Sequence, residues 1–395
     1  MTSVAILSAV RTPIGRFMGS LAAVPAKDLG IAATHAALRQ AGAAPADIGE
    51  VVFGMARQAG NGPNPARQVG IGAGIPETVP AYTVNQACAS GLQAVALAAR
   101  SILAGEADLV LAGGMENMTR VPHYLESGRL GYRIGHSEVV DGMYRDGFQC
   151  PLADQLMGRT AETLAEQHGI TRAEQDDFAA ESQRRAHAAW EAGRFEAEVV
   201  PVAVPGRRGE TTPFTRDEHL RPGTDAASLA KLPAVFKKDG TVHAGNSSGI
   251  TDGAAALVLA SRAEVERRGV TPLAWIAGSQ SVGVDPRIMG IGPVPATRAL
   301  MDRLKWQRKD VGLVELNEAF AAQALACIRE LELDPELINV NGGAIALGHP
   351  IGATGARILT TLLHEMKRRE TPKGLATLCV SGGMGFTLAV TRRHP

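Results

Sequence analysis

Cysteine is scarce in this chain. Its 395 residues hold four, Cys88, Cys150, Cys327 and Cys379, and no two share a CxxC spacing. That argues against a structural zinc site or a disulfide scaffold, and it suits a reducing cytoplasm. Aromatic residues make up only 4%, too few for the stacking platforms of a nucleic-acid surface. No charge sign predominates, since 40 Lys and Arg face 40 Asp and Glu. A basic face for nucleic acid is therefore not expected. The N-terminus, Met1-Thr2-Ser3-Val4, enters strand-like sequence without a basic and apolar leader pattern, so no signal peptide is expected. No apolar run reads as a bilayer span, and no membrane partner is expected.

What the chain does have is glycine, 45 residues of it, and much alanine. Tight strand–helix turns and closely packed helices follow. At 395 residues more than one core is expected. Val4 to Ala9 reads as a buried strand, Arg11-Thr12-Pro13-Ile14-Gly15 as a turn, and Lys27 to Ala41 as an amphipathic helix. A polar turn and strand follow at Ala46 to Gly54. A strand-like approach (Val79 to Val84) leads to Cys88, and an Ala-rich helix (Ala89 to Leu103) leaves it. Gly105 to Met115 is a turn, a strand and a glycine loop.

The last third repeats this order. Leu273 to Ser279, Pro295 to Leu304, Lys309 to Asn317, Val340 to Gly343 and Lys373 to Met384 echo the earlier strand, helix and loop segments. A repeat this long implies two similar α/β domains packed as a pseudo-dimer, with loops from both meeting at one site. Residues 119–249 differ in texture. They carry polar helices (Met157 to His168, Arg172 to Ala192) and irregular Gly/Pro stretches. They read as an insertion covering the site. The expected division is 1–118 with 250–270, the insertion 119–249, and 271–395.

Four residues carry candidate chemistry. Cys88 stands before the first turn of a helix, where free N–H groups and the dipole favour thiolate over thiol. Small neighbours (Ala87, Ala89, Ser90, Gly91) would let a substrate reach the backbone. The competing reading is a buried structural cysteine. His349 sits between Gly348 and Pro350 in a glycine-rich loop that matches neither a P-loop nor a dinucleotide fingerprint. Cys379 ends an apolar strand before Ser381-Gly382-Gly383, and could equally be a buried strand residue. Asn317 ends a strand before the helical run Glu318 to Leu331 and could be its N-cap. All four lie where a strand gives way to a loop. Cys with His is a constellation of covalent thiol catalysis, and a second cysteine is surplus for a protease.

Asn85-Gln86-Ala87-Cys88-Ala89-Ser90-Gly91, Asn317-Glu318-Ala319-Phe320, Gly348-His349-Pro350 and Cys379-Val380-Ser381-Gly382-Gly383-Met384-Gly385 resemble the signature segments of the thiolases. Arg11-Thr12-Pro13 and Ala244 to Gly249 resemble further family segments. The match runs along essentially the whole chain and is nearest to the acetoacetyl-CoA-forming members. The resemblance implies an α/β thiolase fold: two duplicated mixed-sheet domains in a layered αβαβα arrangement with an inserted loop domain. It implies acetyl transfer, a reversible Claisen condensation of two acetyl-CoA to acetoacetyl-CoA and CoA. Cys88 would carry the acetyl group, His349 take its proton and Cys379 act as base at C2. Asn317 would hold a water at the enolate, and the N–H groups of Cys88 and Ser381 form a second oxyanion hole. By the same resemblance Arg221, Phe236, Ala244 and Ser248 contact CoA, and Met157, Met289 and Phe320 surround the acyl end. No metal and no cofactor beyond the CoA thioesters is implied. A homodimer or homotetramer is, with Tyr124 to Asp146 as the tetramer contact. The alternative is a broader-chain 3-ketoacyl-CoA thiolase of fatty-acid degradation. Members specific for acetoacetyl-CoA often carry His where this chain has Leu156.

Overall fold

A computed structural model describes residues 3–206 and 209–394. Nine strands carry the architecture: β1 Val4–Arg11, β2 Glu50–Gly54, β3 Ala81–Val84, β4 Leu109–Asn117, β5 Thr251–Ser261, β6 Ala274–Gly283, β7 Leu313–Leu316, β8 Lys373–Val380 and β9 Met384–Thr391. They run β7-β8-β9-β6-β1-β5-β4-β2-β3 through one hydrogen-bonded sheet. That order is a palindrome. β1, β5, β4 and β2 of the first half match β6, β9, β8 and β7 of the second. The pairs toward each edge are parallel (β2 with β4, β7 with β8), and those nearer the centre are antiparallel (β4 with β5, β8 with β9). The halves join through β1 and β6 over only Ala5–Trp275 and Ile6–Ala274. The repeat is imperfect at its far edge. Where β3 pairs with β2, the second half keeps a single bridge, Val314 with Ile338, so Val340 to Gly343 does not form the strand end its sequence echoes.

The helices of eight residues or more are α1 Ala26–Ala41, α2 Pro65–Gly72, α3 Ser90–Ala104, α4 Met157–Gln167, α5 Arg172–Glu191, α6 Pro293–Leu304, α7 Ala321–Leu331 and α8 Ile351–Arg368. Three cores explain the layering. The largest takes side chains from α3, α8 and the inner faces of both half-sheets. A second joins α1 and α2 to the outer face of the first half. A third joins α6 and α7 to the outer face of the second. The expected αβαβα arrangement is therefore present, with α3 and α8 as its central layer. Strands covered on both faces need no polar alternation, and β4 and β5 are buried along their whole length.

Two expectations change here. The stretch Ala87–Ala104 is long and apolar enough to cross a membrane by length and composition. It is apolar because α3 is a core helix between the two halves of the sheet. Gly91 serves packing rather than substrate: a Cβ there would stand 2.9 Å from Ala356 N and Gly352 O of α8.

The described residues of 119–249 lie outside the large sheet and hold α4, α5 and short hairpins. The Arg11 segment fastens them. Arg11 Nε meets Glu198 Oε1 at 2.6 Å, and Nη1 and Nη2 meet Asp217 at 2.8 and 3.0 Å, all fully buried. Asp217 also accepts from Ile14 N and Trp190 Nε1. Removing one member of such a network costs about 3–5 kcal/mol, because a buried charge is left unpaired.

Candidate active site

Cys88 sits in a one-turn helix, Ala87–Ala89, that feeds α3. Ala87 before it is left-handed, φ 45°, which costs a non-glycine residue energy. Side chains hold the bend: Asn85 Oδ1 accepts from Ala87 N at 3.0 Å, Ser90 Oγ accepts from Gln86 N at 2.9 Å and donates to Ala87 O at 2.7 Å. The sharp bend leaves Cys88 partly exposed while its neighbours Ala89, Ser90 and Gly91 are buried.

His349 comes from the other half. Gly348 before it has φ 104°, a backbone glycine alone tolerates well, and a Cβ there would strike Thr251 Cγ2 at 2.4 Å. His349 N donates to Gly249 O at 3.1 Å. Its Nε2 lies 3.3 Å from Cys88 Sγ, and its Nδ1 2.6 Å from Thr354 Oγ1. The Thr354 hydroxyl spends its one proton on Pro350 O at 3.0 Å, so it accepts from Nδ1–H. That fixes the tautomer and turns the free lone pair of Nε2 toward the thiol.

The resting pair is neutral. Burial, then Arg357 and Arg57, pull the His349 imidazole down to about 3. Burial pushes the Cys88 thiol up, against the pull of Arg57 and of hydrogen bonds from the N–H groups of Ser381 and Cys88 itself. The helix start is thus outweighed by desolvation, and the expected resting thiolate is corrected to a thiol.

Cys379, the last residue but one of β8, is fully buried and packs with Met289, Ala319, Met157 and Phe320. Burial holds its thiol well above the ordinary range, and charge on Cys88 would raise it further. Asn317 extends the neighbouring parallel strand, its N–H donating to Thr377 O at 3.0 Å. It is not a helix cap: α7 begins at Ala321 after Phe320. Its amide is fully buried, and neither Oδ1 nor Nδ2 has a protein partner. An oriented amide with both ends free is suited to hold a water or a substrate oxygen.

Two carboxylates that sequence reasoning passed over fasten these loops. Glu318 accepts from Ser182 Oγ at 2.7 Å, Asn339 Nδ2 at 2.8 Å and Ile345 N at 3.1 Å, tying the Asn317 turn to the His349 loop. Glu116 accepts from Ala56 N, Arg57 N and Gly352 N at 3.0, 3.1 and 2.9 Å, tying β4 to the start of α8. Only the distant donors they meet reveal these roles.

A cavity of about 660 Å³ opens above the site. Met157, Arg221, Phe236, Ala244, Ser248 and Phe320 line it. Met289 does not, and instead packs against Cys379. Cys88, His349 and Cys379 are not on its wall either. They adjoin its inner end, where Gly249 binds His349 N and where Met157 and Phe320 touch Cys379. Leu156 also lines it, as do Arg16, Phe17, Tyr144 and Phe148, which the sequence did not single out. Phe17 and Tyr144 are 43% and 53% exposed. The Ala244–Gly249 wall is held from α5, where Asp176 binds His243 Nε2 at 2.8 Å and Asn246 Nδ2 at 3.0 Å. Among the described residues no cluster of His, Cys, Asp and Glu has metal-binding geometry.

Residues 4–263 match the family profile "Thiolase, N-terminal domain", and residues 270–392 match "Thiolase, C-terminal domain". The chain belongs to the thiolase family. Among full-length thiolase relatives, it is 52% identical over 393 residues to the acetyl-CoA acetyltransferase of Cupriavidus necator, covering 100% of both chains. Two solved structures share its fold throughout. The acetyl-CoA acetyltransferase of Bacillus anthracis superposes with TM-score 0.97 at 44% identity, covering 99% of each chain. The human mitochondrial 3-ketoacyl-CoA thiolase in complex with CoA superposes with TM-score 0.95 at 41% identity, covering 99% of this chain and 98% of that one.

Proposed function

We propose that this thiolase is an acyl-CoA C-acetyltransferase that joins two acetyl-CoA into acetoacetyl-CoA and CoA. One observation carries the reading: a neutral Cys88–His349–Thr354 relay abuts a second buried thiol, Cys379, at the inner end of one cavity. A carrier thiol and a separate base thiol are what a two-step condensation needs.

His349 Nε2 takes the Cys88 proton as the sulfur attacks the first acetyl-CoA. The carbonyl oxygen is received by the N–H groups of Cys88 and Ser381. CoA departs with the proton of Cys379, leaving a thiolate beside the His349 imidazolium and an acetyl group on Cys88. That ion pair offsets the desolvation that forbids a lone thiolate there. The Cys379 thiolate then takes a C2 proton from the second acetyl-CoA. The enolate oxygen rests on His349 and on a water held by Asn317. The enolate attacks acetyl-Cys88, and His349 returns the proton to the Cys88 sulfur. One lost donor of an oxyanion hole typically costs ~10²–10³ in rate.

The broader 3-ketoacyl-CoA thiolase reading is not favoured, since full-length relatives at 52% identity carry the acetyltransferase name. CoA itself lies along Arg221, Phe236, Ala244 and Ser248 in this reading, with Met157, Met289 and Phe320 closing the acyl end. We also propose a homotetramer and a cytoplasmic location. The first is supported by exposed apolar residues in one segment, Leu125, Leu130, Ile134 and Val139. The second is supported by the four free cysteines. Incubation with acetyl-CoA should add one acetyl group to Cys88, read by peptide mass spectrometry. Label on another residue, or none, would refute the reading.

A further inference from the structure

Arg357 touches no reacting group, and beside burial its charge only helps keep the His349 imidazole neutral, yet it is buried to 1% exposure with Nε, Nη1 and Nη2 all lacking a protein hydrogen-bond partner. Its one close charge is Glu315, whose Oε2 stands 3.7 Å from Nη1 and is likewise unpartnered. That gap is too long for a direct hydrogen bond. Buried donors are seldom left unmet, and sites of this polarity are solvated by internal water. An anion is disfavoured, because Glu315, Glu198 and Glu318 all act on the same guanidinium.

The position of the pair is informative. Arg357 lies on α8 three residues after Thr354, so both occupy one face of the helix. Thr354 sets the His349 ring. Glu315 lies on β7, two residues before Asn317. The pair therefore spans the helix that follows His349 and the strand that precedes Asn317, next to the two enolate donors. Thr361, one turn further along the same face, donates to Glu198 Oε1 at 3.0 Å, continuing a polar ridge through the central layer. We propose that Arg357 is a positioning residue for the reaction: with Glu315 and a few buried waters it ties the helix that follows His349 and carries Thr354 to the strand that leads into Asn317. This rests on the condensation reading.

Its consequence is specific to one step. Acetylation of Cys88 uses the His349–Thr354 relay and the N–H groups of Cys88 and Ser381, all within reach of Cys88. Enolate formation needs His349 and Asn317 at a fixed separation, and a misplacement of about 1 Å can cost ~10²-fold. Arg357→Met should therefore slow exchange of acetyl-CoA C2 protons with D₂O by up to ~10²-fold, with Cys88 acetylation and KM near wild type. Arg357→Lys, which keeps the charge, should recover part of the exchange. Equal loss in both steps, or no loss in either, in folded protein would overturn the proposal. Should Arg357→Met not fold, the shape-conserving Glu315→Gln carries the same expectation. A high-resolution crystal structure provides a second arm: waters bridging Arg357 to Glu315 support the tie, and a dry guanidinium overturns it. Wild-type protein that neither acetylates Cys88 nor exchanges C2 protons defeats the condensation reading. Active wild type with unimpaired variants defeats only the role of Arg357.

Discussion

His349 Nδ1 donates to Thr354 Oγ1 at 2.6 Å, and the same hydroxyl donates to Pro350 O. The histidine and the residue that orients it thus belong to one loop and the first turn of one helix. Thr354→Val keeps the shape and removes the acceptor. The ring then loses its tautomer preference, and Cys88 acetylation should slow by about 10-fold or more, as for a lost orienting partner. Rapid-quench measurement of acetyl-enzyme formation reads it directly. An unchanged rate would mean that packing alone holds the ring.

The two cysteines should fail differently. Cys88→Ala should abolish acetylation and every later step. Cys379→Ala should still accept an acetyl group on Cys88, because His349 can protonate the departing CoA. It should then stall, with C2 exchange reduced by the ~10²–10⁴-fold typical of general acid–base groups. Unimpaired exchange in D₂O would remove Cys379 from the mechanism.

Acid should not silence the enzyme early. His349 is held down at about 3, so its imidazole stays neutral, and able to accept the thiol proton, as pH falls through the ordinary histidine range near 6.5. The kcat/KM profile should show no His349 limb between pH 7 and 5. Because burial raises the Cys88 thiol, its alkylation by iodoacetamide should keep climbing past pH 8.5 rather than level off near neutrality. A limb near 6.5, or an early plateau in alkylation, contradicts the neutral resting pair.

Chain length should be read at the bulky end of the site. Met157 and Phe320 both line the cavity and pack against Cys379. We expect four-carbon 3-ketoacyl-CoA to be preferred in thiolysis, with selection of roughly 1–3 kcal/mol per methylene. Met157→Ala should narrow that preference. Equal or higher kcat/KM for eight-carbon substrates in wild type would restore the broader reading.

Gly91→Ala tests the central layer. Its Cβ would lie 2.9 Å from backbone atoms of α8, which cannot yield as a side-chain tip can. A loss of roughly 1–3 kcal/mol is expected from such overpacking, measured by urea unfolding. A neutral effect would show that α3 and α8 can part without cost.

Local sequence determined a good deal. The apolar runs of β4, β5 and β8 and the alanine-rich α3 read directly as buried elements, because their residues need only water exclusion. The duplicated order was legible too, since each half repeats the same strand–helix–loop grammar. The places of Cys88, Asn317 and Cys379 at strand ends were legible as well, among small neighbours and glycines, but His349, expected where a strand ends, instead follows the short helix Ala344–Leu347. Tertiary structure decided what depends on distant partners. The protonation state of Cys88 turns on desolvation by the opposite half, which no local spacing encodes. Gly91 looked like room for substrate until α8 was seen to fill it. Asn317 looked like a helix cap until α7 was found to start later. Glu116 and Arg357 carry no local signature, and Glu318 stands in a signature segment that does not show its role, since what they hold together comes from segments up to 236 residues apart. Electrostatics and close packing act through space, and only the folded chain says what is near.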